Sequence, residues 1–169
     1  MTRSRSPSRR YVLASLGTAI GAVAAGCIGT GGLDGEPRYE DGTVGERNAS
    51  NVSNRSATEM ATAEALAERE PSDAVTPLET LSLTDHEFVV EDGYLGSTVQ
   101  GHVENTGSDR IQLVEVRTRV YDAAGNALGR YLASIGDLEG GETWAFQVIV
   151  LESPADVADY DITVLGTPA

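Results

Sequence analysis

From Leu81 onward the chain predicts an all-β fold, an immunoglobulin-like antiparallel β-sandwich, preceded by a signal segment and a disordered, partly helical tether. Three observations carry the expectation. Short runs rich in Val, Ile, Thr and aromatic residues recur, and Gly, Asn and Asp clusters separate them every ~10 to 15 residues. Neither a long amphipathic helix nor a pair of cysteines interrupts the pattern. With 169 residues, 40% hydrophobic and 5% aromatic, the chain suits one modest domain with flanking segments and excludes a multidomain enzyme.

Leu83 to Glu91 reads as the first strand, and Asp92-Gly93 as its hairpin turn, because both residues accept positive φ. Leu95 to Glu104 follows, with Leu95, Ser97, Val99, Gly101 and Val103 on one face. Asn105 to Ser108 turns the chain into Ile111 to Tyr121. There Val114, Val116, Thr118 and Val120 alternate with Glu115, Arg117, Arg119 and Tyr121, whereas Ile111 and Leu113 have the opposite parity. One buried face cannot change parity without an extra residue, so a bulge is expected near Leu113 and Val114. Asp122 to Asn126 is the next turn and leads into Ala127 to Leu132. Trp144, Phe146, Val148 and Val150 line the inner face of another strand, and Tyr160, Ile162 and Val164 that of the last.

The residues before Leu81 are of a different kind. Residues 1–26 have the layout of an export signal: Arg9 and Arg10, a 16-residue apolar run from Tyr11 to Gly26, and a small-residue end. The twin arginines followed by Val12 and Leu13 look like a Tat signal, and the run falls short of the ~20 residues that a membrane-spanning helix needs. Ala24-Ala25-Gly26-Cys27 resembles a lipoprotein signal box, with Ala24 in the place usually held by Leu. Cys27 is the only cysteine, so no intramolecular disulfide forms, and its place after the apolar run marks it as the lipidation site. The expected partner of that end is the membrane, held through lipid on Cys27.

Residues 27–80 read as an acidic, low-complexity tether, with few large apolar residues and no period-2 pattern. Ser56 and Glu59 are spaced as a capping box and Pro71 as a stop, so a helix is expected over 57–70. Met60 and Leu66 are its sizeable apolar groups, too few to dock it, and it reads as a solvated spacer. As coil, the 53 residues from 28 to 80 span about 40 Å r.m.s.. Asn48, Asn51 and Asn54 head three consecutive N-glycosylation sequons.

Charge narrows the function classes. The 12 basic residues are all Arg, against 26 acidic ones, and the net charge is −14, which repels the phosphates of nucleic acid. Residues 1–27 hold four Arg and no acid, whereas 81–169 hold 15 acids and four Arg. This density resembles proteins of extreme halophiles, where at ~1 M salt the Debye length is only ~3 Å. No metal or cofactor set is legible. A blue-copper site needs Cys and usually Met beside two His, yet none of either follows Met60. His86 and His102 read as exposed strand residues, and the acids of Asp85 to Glu87 and Glu91-Asp92 as a salt-adapted face rather than calcium ligands. Tyr94, Tyr121 and Tyr131 are expected at turns or on outward faces as a contact patch. No catalytic constellation is recognisable: G-x-S-x-G is absent.

Gly101-His-Val-Glu-Asn105-Thr-Gly107, Thr118-Arg-Val120-Tyr121-Asp122, Gly125-Asn126-Ala-Leu128, Ile135, Leu138, Gly140 and Trp144-Ala-Phe146 together resemble an FxLYD domain over roughly 81–165. Tyr121 and Asp122 keep the naming motif, while Thr118 and Val120 stand where it has Phe and Leu. With the Tat-like signal and the lipid box, the chain is similar to FxLYD lipoproteins of halophilic-archaeal type. That resemblance implies a sandwich of the immunoglobulin type at 81–169, serving as a binding or scaffolding module without catalytic residues. The reading is a lipid-anchored, extracytoplasmic interaction module with a cell-surface protein partner. A ligand-binding or delivery lipoprotein is the alternative, ahead of an enzyme or a metal protein.

Overall fold

In the computed structural model, which describes residues 35–45 and 54–169, alternating Val and Ile positions become the inner faces of two antiparallel sheets. In chain order the elements are β1 (Glu40–Thr43), α1 (Ala57–Leu66), β2 (Leu81–Val90), β3 (Ser97–Asn105), β4 (Ile111–Tyr121), β5 (Ala127–Leu138), β6 (Thr143–Ile149) and β7 (Asp159–Pro168). One sheet has the order β1-β7-β4-β5 and the other β2-β3-β6. If β2 to β7 are lettered A, B, C, C′, E and F, these are the A-B-E and F-C-C′ pairings of an immunoglobulin sandwich. β1 then fills the place of strand G beside F, although it comes first in the chain. The all-β sandwich expected from the sequence is the observed architecture.

Between the sheets lie Val99 and Val103 of β3, Val114, Val116 and Val120 of β4, Phe146 and Val148 of β6, and Tyr160 and Ile162 of β7, all essentially buried. β-Branched side chains suit such pleated, two-layer packing because their stiff χ1 torsions lose little freedom there. Val150 and Phe146 are buried as expected and Trp144 is half-buried against the same core.

Three register shifts interrupt the ladders: one lies between Val120 and Tyr121 on the β5 side, and the other two set which residues face inward. On β4 the register against β7 steps from Ile111↔Pro168 to Leu113↔Thr167, so Gln112 is the extra residue, just before the expected position. On β2 it steps from Leu83↔Val103 to Asp85↔His102, leaving Thr84 unmatched. Leu81 and Leu83 face the core before Thr84; beyond it His86, Phe88 and Val90 lie opposite the inward-facing Gly101, Val99 and Ser97. Gly101 permits this, since a Cβ there would meet the Asp85 carbonyl oxygen at 2.1 Å.

The link between β2 and β3 is wider than a two-residue hairpin: Gly93 and Gly96 have positive φ, and the Glu91 amide bonds to the Gly96 carbonyl at 2.7 Å. Arg55 ties this link to the chain after β6: its guanidinium donates to the carbonyls of Tyr94 (2.8 Å), Leu95 and Val150 (2.9 Å).

Arg55 also marks how the described parts of 27–80 differ from a solvated spacer. α1 has the expected capping box, with the Ser56 amide on Glu59 Oε2 at 2.8 Å, but it ends at Leu66 rather than near Glu70. The chain then crosses the outer face of the β4-containing sheet, making isolated bridges from Glu68 to Leu132 and from Thr76 to Gly166. Ala63 and Val75 are buried and Leu78 packs against the core. Docking rests on backbone pairing and on small buried residues, so an Ala-rich segment with few large apolar groups suffices.

Candidate functional site

The strand alternation that buries Val116, Thr118 and Val120 places Glu115, Arg117, Arg119 and Tyr121 on the outer face of the same sheet. That face is not bare. Ser72 comes down on Glu115, its amide donating to Oε2 at 3.0 Å, while its carbonyl accepts from Arg117 at 2.9 Å. Arg117 Nε also donates to Glu115 Oε1, and the carboxylate is almost fully buried. One step along, Arg119 meets Asp161 of β7 through two donors, Nε at 2.7 Å and a terminal nitrogen, and the Tyr121 hydroxyl donates to the same carboxylate at 3.1 Å. The guanidinium carbon of Arg119 lies 3.6 Å from the ring centre of Tyr39, a cation–π contact with the residue just before β1. The Asp161 hydrogen bonds raise the Arg119 pKa above its ordinary value. Burial, followed by the contact with Asp161, raises that of the Tyr121 phenol.

Beside these pairs is a cavity of about 210 Å3, whose wall includes Arg69, Arg117, Arg119 and Arg130 with Tyr39 and Leu132. Arg130 is directly opposite Arg119 across the β4–β5 ladder. No acidic residue lines the cavity. Arg117 and Arg119 are paired as described, but the side chains of Arg69 and Arg130 make no ion pair or hydrogen bond among the described residues. Four of the eight arginines beyond Cys27 thus converge on one place in a strongly acidic chain. What they can do chemically is present guanidinium forks, whose planar donors match carboxylate or phosphate oxygens.

Sequence reasoning did not single out this cluster. Alternation sets Arg117 and Arg119 on one face, but a register step between Val120 and Tyr121 brings Arg130 rather than Gly129 opposite Arg119, and Arg69 arrives from a segment whose docking is silent in the sequence.

Of the residues singled out from the sequence, Arg9, Arg10, Cys27, Asn48 and Asn51 lie outside the described residues. Asn54 is exposed, its Oδ1 accepting from the Ser153 hydroxyl at 2.8 Å, and its sequon continues into the anchoring Arg55 and the helix cap Ser56. His102 is exposed and bonded to Asp85 at 3.0 Å; that bond holds the Asp85 carboxyl below its ordinary range. His86 is half-buried instead of exposed, because the Thr84 bulge turns it inward: its Nδ1 shares a 2.8 Å hydrogen bond with the Tyr160 hydroxyl. Tyr94 is exposed and Tyr121 partly so, but Tyr131 is buried, pairing with the inward-facing Thr118. Among the described residues no group of three or more His, Cys, Asp or Glu side chains is placed to hold a metal ion.

No family model matches the chain. A search of curated proteins finds an uncharacterized protein of Methanocaldococcus jannaschii, 31% identical over 86 residues, which cover 50% of this chain and 63% of that protein. The chain therefore matches less than two thirds of that relative's length. Among solved structures, a DUF1425 family member from Shewanella is similar at 12% identity with a TM-score of 0.40, covering 58% of this chain and 93% of that one.

Proposed function

We propose that the protein is a lipid-anchored, extracytoplasmic binding module without catalytic activity, exported through a Tat-like signal at Arg9 and Arg10 and held at the membrane by lipid on Cys27. The observation that carries this reading is the single cysteine of the chain, which follows a basic, 16-residue apolar leader in an Ala-Gly-Cys setting. One short acyl chain binds a bilayer only marginally, so stable anchoring calls for two chains at this residue. The FxLYD resemblance supports a scaffolding role with a cell-surface protein as partner, and the acidic composition supports a high-salt setting. Glycan on one or more of Asn48, Asn51 and Asn54 belongs to the same reading.

The test is fractionation of cells producing the full chain or its Cys27→Ser variant, with mass spectrometry of the mature N-terminus. Cleavage before Cys27, a lipid mass on that residue, and release of the variant from membranes are expected. An intact leader with a bare thiol would sink the proposal. Co-purification from gently solubilised membranes tests for the protein partner. A second reading, a small-ligand-binding lipoprotein, is favoured by one observation, the arginine-lined cavity.

A further inference from the structure

The geometry points to the arginine-lined cavity as a binding site for a small multivalent oxyanion, a compound with two or more carboxylate or phosphate charges. The inference rests on the ligand-binding reading above and names its ligand class.

Arg119 and Arg130 face each other directly across two hydrogen-bonded strands. Like charges in that position destabilise a sheet. In a chain with 26 acidic residues, a Glu opposite Arg119 would have removed the conflict, yet an arginine stands there. Asp161 offsets Arg119 from the β7 side and Glu115 offsets Arg117, while Arg69 and Arg130 have no carboxylate partner among the described residues. Asp41 lies opposite Asp161, so one cross-strand row reads Asp41, Asp161, Arg119, Arg130 from β1 to β5, with its acids at the end away from Arg130; Glu68 accepts from the Ser134 hydroxyl, and neither Asp41 nor Glu68 lines the cavity. Arg69 and Arg130 are thus the guanidiniums with no carboxylate partner among the described residues, and the wall they share with Arg117 and Arg119 carries no acid.

The arrangement is also preorganised. Arg119 is fixed by two donors to Asp161 and by the Tyr39 ring, and Arg117 by Glu115 and the Ser72 carbonyl. Held in this way, neither loses much side-chain freedom when an anion arrives. Arg69 and Arg130, exposed and without a carboxylate partner among the described residues, are left to meet it. At about 210 Å3 the cavity has room for a di- or tricarboxylate or a phosphate.

The experiment is equilibrium dialysis of the purified full chain with labelled citrate in one arm and labelled inorganic phosphate in the other, at constant high KCl. Arg130→Gln and Arg69→Gln are the test variants, and neither side chain makes an ion pair or hydrogen bond among the described residues. Arg110→Gln, which removes a surface pair with Asp137, is the control. Saturable binding of either probe is expected, weakened about tenfold or more by each test variant and unchanged by the control. The arm that saturates distinguishes a carboxylate from a phosphate ligand. Absence of saturable binding in both arms, or binding that Arg130→Gln and Arg69→Gln leave unaltered, would overturn the inference. Membrane fractionation does not depend on this result, so anchoring and anion binding fail separately.

Discussion

Arg55 does what no apolar residue of its segment does. Its guanidinium takes carbonyls of the β2–β3 loop and of the chain after β6, and so fixes the start of α1 to one end of the sandwich. Arg55→Ala leaves those part-buried acceptors without donors, and a loss of about 2–3 kcal/mol is expected in chemical denaturation at fixed KCl. Arg55→Lys should recover only part of it, because a point charge cannot reach several carbonyls in a fork. Tyr160 gives a pH prediction. Burial, with a smaller contribution from Glu87, pushes its phenol up to about 12. The folded state therefore holds this proton where the unfolded chain, with a tyrosine pKa near ~10, has begun to release it. Its contribution to stability is complete below about pH 10 and is lost as pH rises toward 12. Phenolate absorbance that lags behind exposed tyrosines and then appears with unfolding is the expected trace; early ionisation of all tyrosines would contradict it. Such residues were only half legible. Alternation identified Val99, Phe146 and Ile162 as core, but Arg55 bonds to backbone carbonyls, which every residue has and no sequence distinguishes.

Among the elements, β1 is the most informative. Four residues reading Glu-Asp-Gly-Thr carry no apolar alternation, yet they complete a sheet because β7 offers an edge and Gly42 has no side chain. A Cβ on Gly42 would lie 2.1 Å from the Tyr160 ring, which is itself held by His86. Gly42→Ala should therefore release β1, costing roughly 1–3 kcal/mol and removing amide exchange protection from Glu40 to Thr43. Retained protection there would show that the ring yields. The strands from 81 onward were readable because period-2 patterning and turn residues agree over whole runs. The β4 bulge was readable as well, since Ile111 and Leu113 break parity with the valines that follow. The Thr84 bulge was not: Leu83 to Val90 contains too few contrasting residues to show a switch, and that switch turned His86 inward. Of the arginine cluster only the shared face of Arg117 and Arg119 on β4 was legible; Arg130 comes opposite Arg119 through a register step between Val120 and Tyr121, and the position of Arg69 depends on bridges such as Glu68 to Leu132.

For the whole molecule, charge sets the operating conditions. Beyond Cys27 the chain is strongly acidic, with half of its arginines around one cavity instead of being spread to offset the carboxylates. Repulsion among exposed acids reaches ~10 Å at 0.1 M salt and ~3 Å at 1 M. Unfolding free energy should therefore rise with KCl across that range, and a flat profile would remove the salt-adapted interpretation. β1 also changes where the folded unit begins. Were the sandwich to start at Leu81, residues 40–43 would lie outside it. Because β1 pairs with β7, the unit reaches back to Glu40, and a fragment cut at Leu81 would leave β7 bare from Asp159 to Ile162, an open edge that invites a strand of another molecule.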